Sequence, residues 1–218
     1  MADDLKYGYK GAEPTQSFGN NTGVFDPNDI NNLIADNKWK PNNSDLVLLS
    51  TMDFENVSSL SVGLPTGYDT HFLLFNEFSP IADNTQLQAR FVINGSINTS
   101  SQYSYHVLRN DDSNNYYSLL ATTSSMVLFN ATSSQIKYSG GWNMMIHGAA
   151  NNTVIPKCSW TGVSVDANGD TLSFDGDGMF SDGGSGTTPT RTRQEAIHFF
   201  QNSNNISGHV KVFGVYKP

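Results

Sequence analysis

Beyond residue 45, apolar and polar residues of this chain alternate with a period of two. Near the C-terminus, Ile197 and Phe199 share one face, and His198 and Phe200 share the other. Such alternation, bounded by Asn, Ser and Gly, is typical of strands joined by polar turns. The pattern predicts strands at residues 46–51, 60–62, 71–75, 87–93, 103–108, 116–120, 125–129, 135–138, 143–146, 159–165, 171–174, 196–200 and 209–216. Because no helical pattern intervenes, residues 43–218 are predicted to form an all-β, antiparallel, jelly-roll-like β-sandwich.

Two segments depart from simple alternation. Residues 46–51 form a near-continuous apolar run, which predicts a strand buried on both faces. Residues 175–193 are rich in Gly, Ser, Thr and Asp and are predicted to form one long loop. A loop of that length inside a domain is usually functional or disordered, so we expect it to form a distal surface or an interface.

Residues 1–42 have a different pattern and are predicted to be a docking segment. Residues 1–25 form an extended arm with apolar residues at intervals, whereas residues 26–39 form one short helix. Asp26 can cap this helix, and Pro27 suits its first position. A short apolar stripe follows at helical spacing, made of Ile30, Leu33 and Ile34. The arm either packs on its own domain or docks on a neighbouring subunit.

Composition narrows the classes of partner. Hydrophobic residues make up only 37% of the chain, but 13 Phe, 9 Tyr and 3 Trp can supply a sizeable core. The net charge is −8 and the 12 Lys and Arg are scattered, so we expect no nucleic-acid partner. No apolar run approaches the roughly 20 residues of a membrane span, so we expect no membrane insertion. The acidic, polar N-terminus is unlike a signal peptide.

The cysteine and histidine residues show no sequence pattern typical of a catalytic site. Cys158 is the only cysteine, which excludes an internal disulfide and favours a reducing compartment. Its apolar neighbours predict a buried thiol. The histidines stand singly without metal-ligand spacing, so each is predicted to face solvent or to have one partner. They are His71, His106, His147, His198 and His209. We therefore expect no enzyme, no catalytic residue, no bound metal and no cofactor.

Two further groups of residues allow a binding role. Asp166–Asp170, followed by Asp175 and Asp177, partly matches the spacing of a calcium loop, but the pattern lacks the required Gly and final Glu. An Asx-rich hairpin turn explains this segment better. Four aromatic residues could stack on sugars, although packing in the core is favoured for them. They are Tyr116, Tyr117, Trp142 and Trp160. Glu55, Glu77 and Glu195 are the few glutamates available for glycoside hydrolysis in the sandwich.

Several segments, in order along the chain, resemble a β-sandwich domain of tailed-bacteriophage virion proteins, particularly those of marine cyanobacterial phages. The closing segment carries this resemblance best, with a strand at 196–200, an Asn-Ile-Ser-Gly turn at 205–208 and a final strand ending at Tyr216. The other matching segments are residues 14–27, 46–50, 67–75, 78–91 and 103–106. These motifs are structural, so the resemblance implies no active site.

The resemblance implies a virion structural protein, made in the host cytoplasm and assembled on the phage particle. We expect a tail fibre or a tail or neck appendage that takes part in virion assembly and host attachment. A head decoration protein that stabilises the capsid is the alternative, and a carbohydrate-binding module is a third. The expected partners are other virion proteins through the N-terminal arm, further copies of the chain in a homo-oligomer, preferably a trimer, and a host-surface glycan.

Overall fold

The computed structural model describes residues 46–82, 85–110, 117–132, 140–152, 154–165, 171–181, 192–201 and 204–216. The chain divides into Met1–Ser44 and Asp45–Pro218, and every described residue belongs to the second unit. The predicted arm and helix of residues 1–42 and the predicted strand at 135–138 lie outside the described residues. Within the described ranges, no helix is long and apolar enough to cross a membrane.

The described residues form thirteen β-strands. In chain order they are β1 (Leu46–Val57), β2 (Ser59–Gly63), β3 (Tyr68–Pro80), β4 (Thr85–Ile93), β5 (Ser96–Ile97), β6 (Tyr103–Asn110), β7 (Tyr117–Thr123), β8 (Met126–Thr132), β9 (Gly140–His147), β10 (Lys157–Val165), β11 (Thr171–Phe180), β12 (Ala196–Gln201) and β13 (Ile206–Tyr216). The prediction of an all-β chain is therefore confirmed for this part of the molecule. Only the two-residue β5 had no counterpart among the predicted strands.

The strands form two antiparallel sheets. The larger has eight strands in the order β1-β13-β3-β9-β10-β11-β6-β7. The smaller has five, in the order β2-β12-β4-β5, with β8 paired to β4. Many neighbours are distant in sequence, as where β13 lies between β1 and β3. Such pairing brings separate parts of the chain onto one sheet face.

Aromatic side chains hold the two sheets together. Phe199 of the smaller sheet meets Phe75 and Trp142 of the larger sheet, with ring centroids 5.1 and 5.7 Å apart. Phe75 and Trp142 are themselves stacked, with centroids 3.9 Å apart. All three rings are at most 2% exposed. This shared apolar interior makes the fold β-sandwich-like, as the succession of strands predicted, and aromatic residues supply much of the core, as their number predicted.

The closing segment links the sheets because β12 belongs to the smaller sheet and β13 to the larger. In β12, Ile197 and Phe199 are buried while their neighbours are half-buried, which confirms the predicted alternation. Gly208 has a φ of +154° and lies where the β13–β3 register shifts. It therefore occupies a bulge within β13, and the predicted turn at this residue is wrong. Gly214 allows β13 to pack closely on β3, since a Cβ there would lie 2.4 Å from the Tyr68 ring.

Two predictions from local composition are wrong. The run at 46–51 was expected to be buried, yet Leu46, Val47 and Leu48 are 41%, 39% and 55% exposed. The reason is position, since β1 is the end strand of its sheet within the described residues. The long loop was expected from residue 175, but β11 continues to Phe180, paired with β10 and β6. The glycines of β11 allow neighbouring side chains to pack closely, as described below.

Candidate functional site

The tryptophans considered as sugar-stacking platforms are core residues. Trp142 and Trp160 are each 2% exposed, and the Trp160 indole N–H donates to the Leu128 carbonyl at 2.8 Å. The interpretation of both as core residues is confirmed, and neither ring can stack on a ligand at the surface. Tyr116 and the side chain of Tyr117 lie outside the described part of the chain.

Each histidine has a polar partner, as predicted. The partners are the Pro65 carbonyl for His71, Asp177 for His106, Thr70 for His147, Ser61 for His198 and Asp53 for His209. His71 alone is fully buried, and this burial lowers the pKa of its imidazole. Burial also lowers the pKa of His198. Among the described residues, no group of three or more His, Cys, Asp or Glu side chains could hold a metal ion.

The lone thiol belongs to the core. Cys158 is 3% exposed on the inner face of β10, and desolvation raises the pKa of its thiol far above the ordinary value. A thiol in this state is a poor nucleophile, because the thiolate is the reactive form. The predicted buried role is confirmed.

The two later carboxylates of the Asp-rich segment lie on a strand. Asp166–Asp170 lies outside the described residues, but Val165 pairs with Thr171, so β10 and β11 form an antiparallel hairpin around it. Asp175 and Asp177 lie within β11 and point outward from the sheet. A calcium loop wraps its ligands around the ion, which an extended strand cannot do. The structure therefore does not bring these two residues into such a loop, and the hairpin interpretation explains their positions better.

Asp175 and Asp177 instead line a groove on the outer face of the eight-stranded sheet. This sheet groove crosses β9, β10, β11 and β6 and has a volume of about 340 Å³. Two rows of outward-facing side chains line it, because alternate residues of a strand share one face. The first row, from paired residues on successive strands, is Asn143, Thr161, Asp175 and Leu108.

The second row lies two residues along each strand. It consists of Met145, Ser159, Asp177 and His106, again paired across successive strands. Neighbouring strands are about 4.8 Å apart and each residue advances a strand by about 3.4 Å. Together the rows therefore cover about 14 Å across the strands and about 7 Å along them.

The groove is concave because β10, one of its two inner strands, carries short side chains. Ser159 and Thr161 of β10 stand between longer side chains on the flanking strands. Trp160 and Gly176 lie between the rows, and the Trp160 side chain points into the core, so their main chain forms the floor. A Cβ at Gly176 would lie 2.3 Å from the Trp160 ring. The glycine therefore lets the indole lie directly beneath the floor of the groove.

The charge of the groove comes from its two carboxylates. The Asp177 carboxylate lies 3.7 Å from His106 Nδ1, with the Asp177 side chain 74% exposed and the His106 side chain 36% exposed. Among the described lining residues there is no Lys or Arg. The groove is thus acidic and rich in hydrogen-bond acceptors, with apolar groups from Met145 and Leu108.

Sequence reasoning singled out several groove residues separately but did not bring them together. Each strand contributes a pair of residues at i and i+2, for example Ser159 and Thr161 or Asp175 and Asp177. That spacing places each pair on one face, a signal present in the sequence. The pairing of β6 with β11, which completes the groove, joins segments more than sixty residues apart.

In the part of the chain that the structure describes, the geometry defines an all-β fold with two antiparallel sheets and an open polar groove on the larger one. No family model matches the chain, and searches of curated proteins and of solved structures find no match either.

Proposed function

We propose that this protein is a structural component of a bacteriophage virion, in a tail fibre or a tail or neck appendage. It takes part in virion assembly and in host attachment. The sandwich of residues 43–218, with jelly-roll-like connections, is the displayed domain. Residues 1–42 form the arm and short helix that dock on other virion proteins, and copies of the chain associate, preferably as a trimer.

One observation carries this proposal. The segment with the strongest resemblance to phage virion proteins, residues 196–216, supplies one strand to each sheet. Its final strand, β13, pairs with both β1 and β3 inside the larger sheet. The resemblance thus lies in residues that contribute strands to both sheets. A similarity in sequence at these residues supports a similarity in fold.

A head decoration protein is the alternative within the same class. Both roles use an exposed, loop-rich domain with few charges, so the fold favours neither. The appendage is preferred because the sheet groove offers an open binding surface, which attachment needs and capsid stabilisation does not.

Locating the protein on intact particles tests the proposal. Phage particles carrying this gene are purified, separated into heads and tails and analysed by mass spectrometry. Immunogold labelling of intact particles gives the position independently. We expect the protein in the tail or neck fraction. A head location would establish the decoration role, and absence from purified particles would overturn the proposal.

Deleting residues 1–42 tests the docking role of the arm. We expect the truncated chain to keep its β-rich circular dichroism spectrum and to be lost from particles when it replaces the full-length protein. Normal incorporation of the truncated chain would show that the arm is not the docking element. Retained folding is the control that separates lost docking from lost structure.

A further inference from the structure

We infer that the sheet groove is a binding site for a short saccharide that carries no acidic group. This inference deepens the attachment role proposed above and rests on it. The site consists of the outward-facing rows of side chains on β9, β10, β11 and β6. Three properties of these side chains support the inference, namely their hydrogen-bonding groups, their apolar groups and their charge.

The hydrogen-bonding groups favour a ligand rich in hydroxyl groups. Asp175 and Asp177 offer carboxylate oxygens, which only accept hydrogen bonds. Thr161 and Ser159, their paired neighbours on β10, offer hydroxyls that donate and accept, and Asn143 adds an amide that does both. A sugar carries hydroxyls on adjacent carbons that can donate to a carboxylate and accept from an amide. The lining therefore matches a polyol.

The apolar groups suit the C–H faces of sugar rings. Leu108 lies at the β6 end of one row and is 40% exposed. Met145 lies at the β9 end of the other row and is half-buried. The two side chains thus occupy opposite corners of the groove, with polar groups between them. A ligand that is apolar on its faces and polar around its rim can contact both corners and the carboxylates at once.

The charge of the groove selects against anionic ligands. Two carboxylates with no lysine or arginine among the described lining residues would repel a phosphate, a sulfate or an acidic sugar. The Asp177 charge faces His106, whose imidazole lies 3.7 Å away. The Asp175 carboxylate can accept hydrogen bonds from the hydroxyls or the amines of a ligand. The groove volume of about 340 Å³ is at the lower end of the range for small-molecule sites, which limits the ligand to a few sugar rings.

Binding of the full-length protein to a glycan array tests the inference first. The array carries neutral oligosaccharides, sialylated and sulfated oligosaccharides, and amino-sugar oligosaccharides with free amines. We expect binding to neutral or amino-bearing members and none to sialylated or sulfated members. A neutral trisaccharide chosen from the array is then titrated in solution by isothermal calorimetry, and saturation-transfer NMR identifies the ring protons that contact the protein.

Variants assign the binding to the groove. Asp177→Asn removes a charged acceptor, and we expect the dissociation constant to rise about tenfold, as for loss of a charge-assisted hydrogen bond. Thr161→Leu fills the centre of the groove with apolar bulk and should weaken binding at least as much. Asp53→Asn is the matched control, because Asp53 also faces a cross-strand histidine, His209, on the same sheet but outside the groove. It should leave binding unchanged.

Each outcome has a defined meaning. Binding to acidic glycans alone would overturn the inferred ligand class, and binding to none would overturn the site. Equal loss in Asp53→Asn and Asp177→Asn would place the binding outside the groove. A protein located on particle tails that binds no saccharide would leave the proposed function standing without this inference. Saccharide binding by a protein absent from particles would leave this inference standing and overturn the proposed function.

Discussion

Gly176→Ala tests the packing beneath the groove. A Cβ at this position would lie 2.3 Å from Trp160 Cε2, 2.4 Å from Cζ2 and 2.6 Å from Nε1. Normal carbon contacts are about 3.5–4.0 Å, so the indole must move by more than about 1 Å. Trp160 is 2% exposed, and its N–H donates to the Leu128 carbonyl at 2.8 Å. The ring therefore has no free direction in which to move without losing contacts.

The expected cost follows from these two contacts. Overpacking a well-packed core costs about 1–3 kcal/mol. A buried carbonyl left without its donor costs about 1–3 kcal/mol more if the Leu128 bond breaks. Replacing a strand glycine by alanine recovers about 0.5–1 kcal/mol of backbone entropy. We expect a net loss of about 1–5 kcal/mol in the free energy of unfolding when both costs apply, less the entropy gain.

Urea unfolding followed by tryptophan fluorescence measures this loss. Gly63→Ala is the matched control, because Gly63 is also a strand glycine but a Cβ there meets nothing within 4 Å. It should be neutral or slightly stabilising. The midpoint should fall for Gly176→Ala with an unchanged m-value, accompanied by a shift in native emission as Trp160 moves. A loss below about 1 kcal/mol with native emission unchanged would refute the packing argument, since the smallest overpacking and carbonyl costs less the largest entropy gain still leave about that much.

Three further variants or conditions test other parts of the structure. Phe199→Ala should cost about 3–5 kcal/mol by removing the ring that joins the sheets, whereas Phe200→Ala, on the half-buried face, should cost clearly less in the same urea titration. Cys158 should resist a thiol reagent at pH 8 in the native protein and react fully in denaturant, because burial raises its pKa; rapid native labelling would contradict its burial. Burial lowers the pKa of His71 below its ordinary 6.5. As the pH falls below about 6.5, the unfolded chain therefore binds more protons than the folded chain. The contribution of His71 to stability should be complete above about pH 6.5 and should decrease as the pH falls toward the folded pKa. His71→Gln should flatten this decrease between pH 7.5 and 5.5 more than His198→Gln, and an identical decrease in wild type and His71→Gln would contradict the assignment.

Alternation along the chain predicted most strands because a strand's inner face must be apolar, whichever strand it pairs with. It did not predict which strands are neighbours. The run at 46–51 shows the difference, since its apolarity indicates a strand but does not indicate that, among the described strands, β1 is the end strand of its sheet. The misassigned start of the loop at Asp175 has another cause. Gly176 and Gly178 lower the apparent strand propensity, yet their inner-face positions accommodate the side chains of Trp160 and Met126.

The groove depends on pairings that local patterns do not specify. Asp175 and Asp177 were considered as parts of a loop because they follow an Asp-rich turn. Their actual neighbours are Ser159 and Thr161 on one side and His106 and Leu108 on the other. Only the sheet order gives these contacts, and with them the chemistry of the site.

Core and groove share strands β10 and β11 but use opposite faces of them. A variant on the outer face can therefore change ligand binding without changing stability. A variant on the inner face can change both. Asp177→Asn alters a side chain that is 74% exposed, so it should change ligand binding without a measurable change in stability. Gly176→Ala places a methyl group between the floor of the groove and the Trp160 ring, so ring and floor must move apart and both stability and binding should fall. If Gly176→Ala lowers stability and leaves saccharide affinity intact, the floor does not shape the site, and recognition depends on the two rows of side chains alone.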